Sequence, residues 1–505
     1  MSAAGFANRG PITAGLILAQ IMGALDVTVV NVVLPHMQAS LSASPEQITW
    51  VITSYMIAMA AATPAAGWFA SRFGVKPALL ICVAGFTITS VMCGIAVTLP
   101  EMVLFRTLQG LAIAPMAPIA QAVLFNINPP ERHGRAMALF TMASVLAPVV
   151  GPIIGGYITE YLSWRWCFFI NVPAGLASIL ILLIFMPSEA AVPRRFDVLG
   201  FASLAIAVGA FQLMLDRGTV RDWFASTEIW IEATIAAGAF WVYVVHSATA
   251  PLPLFPNALW RDRNYVISQI FGFFFMGLQF CSLTLMPLMM QGLLGYPVIY
   301  SGIVSTPRGV IMMAVLQVMG WLDSRVDRRL LVAIGTAALS LGFWEMSRFD
   351  LVMTENQIIW ATMLQGLGQG IMFVPLTTLG FAKIAPHLRA DAAAAMTIIR
   401  YVGGSIGVAS VQALTAMNSQ TMHAAYAEHI HRLNPQLYAH LPPGLAPGTE
   451  TWGAVINSEI SRMSLMVAYV DDFWVMTIIS ILCAPMILLI RPTPRILKDT
   501  PTAFE

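Results

Sequence analysis

A short motif that occurs twice decides the fold of this chain. The sequence reads GWFASRF at residues 67–73 and GWLDSRV at residues 320–326, an offset of 253 residues. The tetrapeptide LQGL likewise stands at residues 108–111 and again at 364–367, an offset of 256. Small residues repeat at that second offset too, with Ala147 and Gly151 matched by Gly403 and Gly407. Three matches at nearly one offset indicate two similar halves in one chain.

The composition places both halves in a lipid bilayer. Of 505 residues, 58% are apolar and only 10% are charged, whereas soluble domains carry about 25% charged residues. With a mean hydropathy of +0.76, this excludes a soluble enzyme, a disordered chain and a nucleic-acid-binding protein. The five cysteines lie in apolar runs without a CxxC pair, so we expect small core residues rather than disulfides or metal ligands.

Fourteen apolar stretches are long enough to span the membrane, since a spanning helix needs about 20 mostly apolar residues. They lie at residues 12–35, 48–70, 77–99, 102–125, 136–158, 166–187, 198–215, 228–247, 265–291, 300–321, 331–348, 357–381, 393–414 and 466–490. The first is too long for a cleaved signal and contains Asp26. An even count places both termini on one side. Loops on that side hold seventeen Lys and Arg residues against six opposite, which predicts cytoplasmic termini.

The repeat equates spans 1–6 with spans 9–14. We predict an N-terminal six-helix bundle at 1–190, two inserted transmembrane helices at 191–260 and a C-terminal six-helix bundle at 261–505. An extracytoplasmic loop at about 415–465, helical at 420–433, would be a flap or a docking element. Two six-helix halves of one orientation are the parallel repeat of major facilitator transporters. The expected fold is therefore an all-α membrane protein with the major facilitator fold, and paired halves favour a carrier over a channel.

Further motifs are spread over nearly the whole chain. Span 1 contains LDVTVVNVVLP at residues 25–35, span 4 contains RTLQG at 106–110, and span 5 contains APVVGPIIGG at 147–156. Other motifs are WRW at 164–166, NVP at 171–173, LDRG at 215–218, DWF at 222–224 and, after Arg400, GGSIG at 403–407.

With these motifs the chain resembles the fourteen-helix, EmrB- and QacA-like drug:proton antiporters of the major facilitator superfamily. The stretch 147–156 looks like their antiporter motif, whose residues here are Gly151, Pro152, Gly155 and Gly156. The loop after span 2 is similar to the cytoplasmic loop motif, represented by Gly67, Arg72, Gly74 and Lys76. Its usual acid is replaced by Ser71, and Asp323 is the nearest acid in the second copy. The resemblance implies two partners, a periplasmic membrane-fusion adaptor (EmrA-like) and a TolC-like outer-membrane channel.

Asp26 and Arg106 are the predicted proton-coupling residues. Nine residues separate Asp26 from Pro35 at the outer end of span 1, which places the carboxyl about 13 Å deep. A charge near mid-bilayer costs about 2.5–3.5 kcal/mol on insertion scales, and a partly desolvated carboxyl can exchange a proton near neutral pH. Arg106 lies about 7–8 Å deep in span 4, within reach of Asp26. Alternatively, Asp26 is a permanently bonded structural carboxylate and Arg106 holds helices together.

The other polar residues inside spans are candidates for a substrate cavity. Arg308 and Arg400 would hold an anionic group of the substrate or neutralise Asp26, or else bond to backbone carbonyls. The uncharged candidates are equally suited to lining a cavity or joining helices; they are Thr28 and Asn31 on span 1, Gln109 on span 4, and Gln365 and Gln369 on span 12.

Small residues on span 5 form a stripe that admits another helix at close range. Ala147, Gly151 and Gly155 are four apart and share a helix face, while Pro152 removes one backbone donor. The stripe is either simple helix packing or, as the resemblance implies, a seal against proton leak that favours exchange over symport.

We therefore predict a proton-driven multidrug efflux transporter of the inner membrane that exports hydrophobic or amphipathic compounds. The chain has no HExxH, no GK[ST] phosphate loop and no Cys/His ligand cluster, so neither catalysis nor a cofactor is expected; the energy would come from the proton gradient. Three alternatives remain at this stage. They are a dedicated exporter of an endogenous lipid, fatty acid or metabolite, a sodium-coupled carrier, and a transporter-like sensor.

Overall fold

The structure, a computed structural model, describes residues 8–188, 191–192, 194–428 and 450–491. Its long helices follow the predicted spans and are numbered accordingly. They are α1 Arg9–Ser40, α2 Trp50–Ala62 continued by Ala66–Phe73, α3 Val75–Ile95, α4 Leu99–Ile113 continued by Met116–Ile127, α5 His133–Tyr161, α6 Asn171–Phe185, α7 Val198–Gly218, α8 Thr227–Thr249, α9 Arg263–Gly292, α10 Val298–Leu322, α11 Arg328–Met346, α12 Glu355–Phe381, α13 Arg389–Glu428 and α14 Glu450–Cys483. Short α-helices occur at Pro45–Ile48, Trp166–Phe169 and Ala258–Arg261, and 3-10 turns at Thr63–Ala65, Pro130–Arg132, Trp223–Ala225, Pro386–Leu388 and Ala484–Leu489.

Thirteen of these helical segments, within the described residues, are long and apolar enough to cross a membrane. The predicted second span is helical as well, but it is interrupted by the 3-10 turn at Thr63–Ala65 and carries several polar residues. Pro64 supplies no backbone N–H, which suits a break in the helix. The prediction of an all-helical architecture with long membrane-spanning helices is confirmed, with the second span as its least regular member.

The repeat is visible in how glycines let helices approach. In the first half, Gly151 on α5 faces Thr28 of α1, and a Cβ at Gly151 would overlap the threonine hydroxyl. In the second half, Gly407 on α13 faces Gly277 of α9, and a Cβ at Gly407 would lie only 2.8 Å from the Cα of Gly277. Gly407 follows Gly151 by 256 residues. The same pair of helices is therefore packed closely in each half, and by the same device.

The two halves pack against each other at the ends predicted to face the cytoplasm, called here the inner ends. Phe125 of α4 stacks on Phe381 of α12 with ring centroids 4.6 Å apart. Arg389, at the start of α13, donates to the Phe125 carbonyl at 2.9 Å and to Oδ1 of Asn126 at 2.7 Å. Ala392–Ala395 follow on α13 and are all buried.

The outer ends are organised differently. A buried cluster around Val33, Trp164 and Phe168 contains first-half residues only, and one around Phe343 and Met466 contains second-half residues only. Among the described residues, the apolar clusters that combine the first and second halves include the inner-end residues of α4, α12 and α13 and the α5–α10 contact. The structure is therefore a conformation closed at the inner ends.

The predicted flap at 415–465 is helical where it is described. α13 continues to Glu428 and α14 begins at Glu450. A ring nitrogen of His423 lies 3.0 Å from Oδ1 of Asn457, so the two helices stay in contact beyond the predicted spans. Residues 429–449, in the middle of the flap, lie outside the described residues.

Candidate transport site

A buried ion pair lies at the centre of the first half. Nη1 of Arg106 is 2.5 Å from Oδ2 of Asp26, and the side chains are 1% and 0% exposed. The pair forms because α4 starts at a capping box between Thr98 and Glu101, which sets the depth of Arg106. Gly110 then lets α4 approach α2 closely, since a Cβ there would overlap the carbonyl of Tyr55.

Three donors surround the Asp26 carboxylate. Besides Arg106 on Oδ2, Gln109 Nε2 and Asn171 Nδ2 donate to Oδ1 at 3.2 and 3.1 Å. Asn171 also donates to Ser90 Oγ at 3.0 Å, which links α1 to α3, α4 and α6. Among the described residues, the polar groups that contact the Asp26 carboxylate are all hydrogen-bond donors.

Arg106 is equally well partnered. Its Nε donates to the Val51 carbonyl at 3.1 Å and its Nη1 to Oε1 of Gln109 at 2.7 Å. The guanidinium carbon lies 4.2 Å from the centroid of the Tyr55 ring, where a cation is attracted to the aromatic face. Removing one member of such a buried pair costs about 3–5 kcal/mol, because the other charge is left without compensation.

A second polar cluster occupies the corresponding place in the other half. Arg308 on α10 donates to Ser282 Oγ and to Gln369 Oε1, each at 3.2 Å. Ser282 donates to Gln365 Oε1 at 2.7 Å. Gly366 lets α12 approach α10 as Gly110 does for α4, since a Cβ there would overlap the Arg308 carbonyl.

The repeat aligns the two clusters residue by residue, but the clusters differ in charge. Ser282 follows Asp26 by 256 residues, and Arg308 follows Tyr55 by 253. The second half therefore has a serine in place of the acid and an arginine in place of the aromatic ring. Among the described residues, no carboxylate lies within ion-pair distance of Arg308. The first cluster is internally neutralised and the second carries a buried positive charge.

The remaining cavity candidates are scattered. Arg400, 7% exposed, donates to Thr377 Oγ1 at 3.1 Å and lies 4.9 Å from the Phe373 ring. Thr28 donates to carbonyls of its own helix and of Ala147, so it joins α1 to α5. Asn31 is exposed and donates to the Val27 carbonyl. Neither Arg308 nor Arg400 is within ion-pair distance of Asp26, whose positive partner is Arg106.

The antiporter-motif residues divide by helix face. Gly151 and Gly155 face α1, where a Cβ at Gly155 would lie 3.3 Å from Val29 Cγ1. Gly156 has open space beside it, and Pro152 lies within helix α5. Only part of the motif thus belongs to the α1–α5 contact.

The cytoplasmic loop motif lies at the inner-end contact between the halves. A Cβ at Gly67 would overlap Oδ1 of Asp391, and Asp391 accepts from Arg194 at 2.6 and 2.9 Å. An acid from α13 therefore lies against this motif at Gly67, whereas Ser71 donates to the Trp68 carbonyl of its own helix. Gly74 has a φ of +85°, a conformation that favours glycine, and Lys76 donates to the Leu183 carbonyl at 2.8 Å. Arg72 is exposed.

Three members of the polar clusters were not predicted from the sequence. Asn171 lies in the NVP motif and carried no assigned role, although a polar residue in an apolar span is itself a signal. Tyr55 and Ser282 gave no such signal, because tyrosine and serine are common in spans. The repeat offset would have found Ser282, since it aligns with Asp26.

Comparison with known proteins agrees with this architecture. The family model described as Major Facilitator Superfamily matches residues 16–408. Multidrug export protein EmrB of Haemophilus influenzae is 32% identical over 468 residues, covering 92% of each chain. Fatty acid resistance protein FarB of Neisseria gonorrhoeae is 34% identical over 491 residues, covering 95% of this chain and 96% of that one.

Solved structures share the fold at low identity. The human organic anion transporter MFSD10 (TETRAN) superposes with a TM-score of 0.61 at 12% identity, covering 94% of this chain and 99% of that one. The proton:xylose symporter XylE gives 0.63 at 13% identity, with 97% of each chain covered. At these identities the likeness concerns the fold alone.

Proposed function

This chain belongs to the Major Facilitator Superfamily, as a multi-pass membrane transporter and not an enzyme, and we propose that it is a proton-driven multidrug efflux transporter. It would exchange protons for hydrophobic or amphipathic compounds by alternating access. Its relatives at about 32% identity include proteins named for multidrug export, which supports this class of substrate. We place it in the inner membrane with both termini in the cytoplasm.

The observation that carries the proposal is the buried Asp26–Arg106 pair. A carboxylate held by an arginine inside a bilayer can accept a proton only if the arginine is compensated elsewhere. Gln109 Oε1 and the Val51 carbonyl already accept from Arg106, so the guanidinium keeps two acceptors when Asp26 is neutral. Protonation would therefore remove the counter-charge of Arg106 and weaken the link between α1 and α4, while the guanidinium keeps these two neutral acceptors.

The exchange cycle follows from this. Substrate enters between the halves from the cytoplasm or inner leaflet, and the halves close at their inner ends as in this conformation. A proton that reaches Asp26 from outside releases its bond to Arg106 and resets the carrier. The α1–α5 contact at Gly151 keeps that path narrow.

A purified-vesicle assay tests the proposal. Protein is reconstituted, a pH gradient is imposed, and proton release is recorded on addition of several structurally unrelated drugs. Drug-dependent proton movement is expected for several compounds and is expected to be absent in empty vesicles. Drug flux that ignores the pH gradient would contradict proton coupling.

The partnership with an adaptor is the second part of the proposal. The resemblance to EmrB-like proteins supports a tripartite pump, and the outward helical extension formed by α13 and α14 offers a docking element. Co-purification with a periplasmic membrane-fusion adaptor and a TolC-like channel is expected. It should be lost on deleting residues 425–455, while export into vesicles persists.

A dedicated fatty acid or metabolite exporter is a second candidate, favoured by the charge of the second half. Arg308 and Arg400 are buried cations, and among the described residues neither has a carboxylate within ion-pair distance. Both are therefore available to pair with an anionic group of a substrate. A relative named for fatty acid resistance points the same way. Arg308→Gln should then reduce export of a carboxylate-bearing substrate far more than export of a cationic drug. Arg348→Gln, at an exposed arginine beside Trp344, is the matched control.

A further inference from the structure

A second buried acid lies in the other half of the molecule, outside the Asp26 cluster. Asp472 on α14 is 0% exposed. It is six residues past Met466, where the predicted last span begins, and therefore about 9 Å into the bilayer. It is absent from the residues predicted to be functional from the sequence. A carboxylate at such a depth is costly unless it is paired or protonated.

The surroundings of Asp472 contrast with those of Asp26. Its one hydrogen-bonded neighbour in the described structure is Thr415 of α13, on Oδ2, and its Oδ1 has no partner. The ionisable groups that influence it are Asp471 and Tyr469 on its own helix and Cys281 on α9. None of these is a cation. α11, which also packs on α14, contributes a serine contact, between Ser340 and Ser480.

The Thr415 hydroxyl has one hydrogen and two candidate acceptors. Its Oγ1 lies 2.9 Å from the Val411 carbonyl and is also in hydrogen-bond contact with Oδ2 of Asp472. If the hydroxyl donates to Val411, the contact with Asp472 needs a hydrogen from the carboxyl, which is then protonated. If it donates to Asp472, the carboxyl is ionised. The two positions of the Thr415 hydrogen therefore correspond to the protonated and the ionised state of Asp472.

A cavity adjoins this hydroxyl. It has a volume of about 370 Å³, and Thr415, Gln412, Ser419, Leu288 and Tyr469 are among its lining residues. Thr415 thus faces the cavity and contacts the buried carboxyl behind it. A space of this size with hydroxyl and amide groups in its wall can hold several waters.

We propose that Asp472 is a second proton-binding carboxyl, which exchanges its proton with water in the cavity through Thr415. On release, the Thr415 hydroxyl turns its hydrogen from Val411 to cavity water and gives it up there. At the same time the O–H bond of the carboxyl breaks, and its proton takes the place of that hydrogen on Oγ1, from which it is donated to the new carboxylate. Uptake reverses these steps. The contribution of this proton to drug exchange rests on the proposed function, whereas the protonation itself does not.

Infrared difference spectroscopy of the purified full-length protein in lipid vesicles tests protonation without any drug. Spectra at low and high pH are subtracted, and the carbonyl band of protonated carboxylic acids is followed. We expect Asp472→Asn to lose one pH-dependent component of that band and Asp471→Asn, at its partly buried neighbour, to retain it. An unchanged component in Asp472→Asn would overturn the proposal, and so would one that follows sodium concentration at constant pH.

Variants of Thr415 keep the test valid if Asp472→Asn does not fold. Thr415→Val removes the hydroxyl and should shift the pH midpoint of the band, while Thr415→Ser should leave it in place. Equal midpoints in Val and Ser variants would contradict the route through this hydroxyl. In the vesicle assay, Asp472→Asn should then move one proton fewer per drug molecule. If Asp472→Asn loses the band component but wild-type protein transports no drug, the proposed function is refuted and the assignment of the proton site is retained.

Discussion

Replacing Asp26 with asparagine tests the centre of the proposed mechanism. Asparagine keeps the shape of the side chain but removes its charge and introduces an NH₂ group. In one orientation that group faces Arg106, and in the other it faces the amide donors of Gln109 and Asn171. Either way, donors oppose donors, and the guanidinium loses its counter-charge.

The expected loss follows from burial. Both partners are essentially inaccessible, so removing one leaves an uncompensated charge, at a cost of about 3–5 kcal/mol. Because each 1.4 kcal/mol is a factor of ten, this is enough to lower the melting temperature measurably. The double variant Asp26→Asn with Arg106→Gln removes both charges, and should recover much of that loss.

Two assays separate stability from coupling. Thermal unfolding in lipid or detergent should rank wild type above the double variant and the double variant above Asp26→Asn. Both variants should reach the membrane when expressed. In vesicles, both should fail to couple drug export to the pH gradient. Proton-coupled export at the wild-type level by Asp26→Asn would refute the assignment of this carboxyl, whatever its effect on stability.

Three further predictions concern packing and the coupling ion. Gly151→Leu should block transport in protein that still reaches the membrane, since even a Cβ there overlaps Thr28. Gly156→Leu is the control and should transport normally, because Gly156 has open space beside it. Equal drug flux from the two variants would contradict this. Gly67→Ala should push against Asp391 and so increase the labelling of cysteines introduced at the inner ends of the helices. Unchanged labelling would show that the Gly67–Asp391 contact does not hold the inner ends closed. Replacing sodium with choline should leave flux unaltered, and a drop would indicate a sodium-coupled carrier.

Much of the architecture was predictable because it depends on hydrophobicity and repetition. The spans follow from their apolar length, and the close packing of α5 and of α13 against another helix follows from small residues at one offset; that the partners are α1 and α9 is seen only in the structure. Asp26 and Arg106 were expected within reach of each other from their depths, together with the neighbouring positions of spans 1 and 4 that the family resemblance implies. Depth along a helix is readable from sequence because the rise per residue is fixed.

What could not be predicted depends on which side chains meet across helices. Asn171 completes the Asp26 cluster from α6, and nothing in the sequence indicates how far each helix is rotated. Arg308 was expected to hold an anionic substrate group, to neutralise Asp26 or to bond to backbone carbonyls; in this conformation it donates to the side chains of Ser282 and Gln369 in its own half. Asp472 lies within the predicted last span, so its depth was readable from the sequence, whereas its contact with Thr415 of α13 was not.

The run of alanines at the start of α13 has an energetic consequence for how the carrier opens. Ala392–Ala395 are between 0% and 2% exposed, yet an alanine methyl buries little apolar surface compared with leucine or phenylalanine. At about 25 cal/mol per Å², separating this alanine stretch therefore carries a smaller hydrophobic penalty per residue than separating the Phe125–Phe381 contact beside it. The alanine stretch excludes solvent mainly by its close fit, and it can separate and re-form repeatedly during turnover.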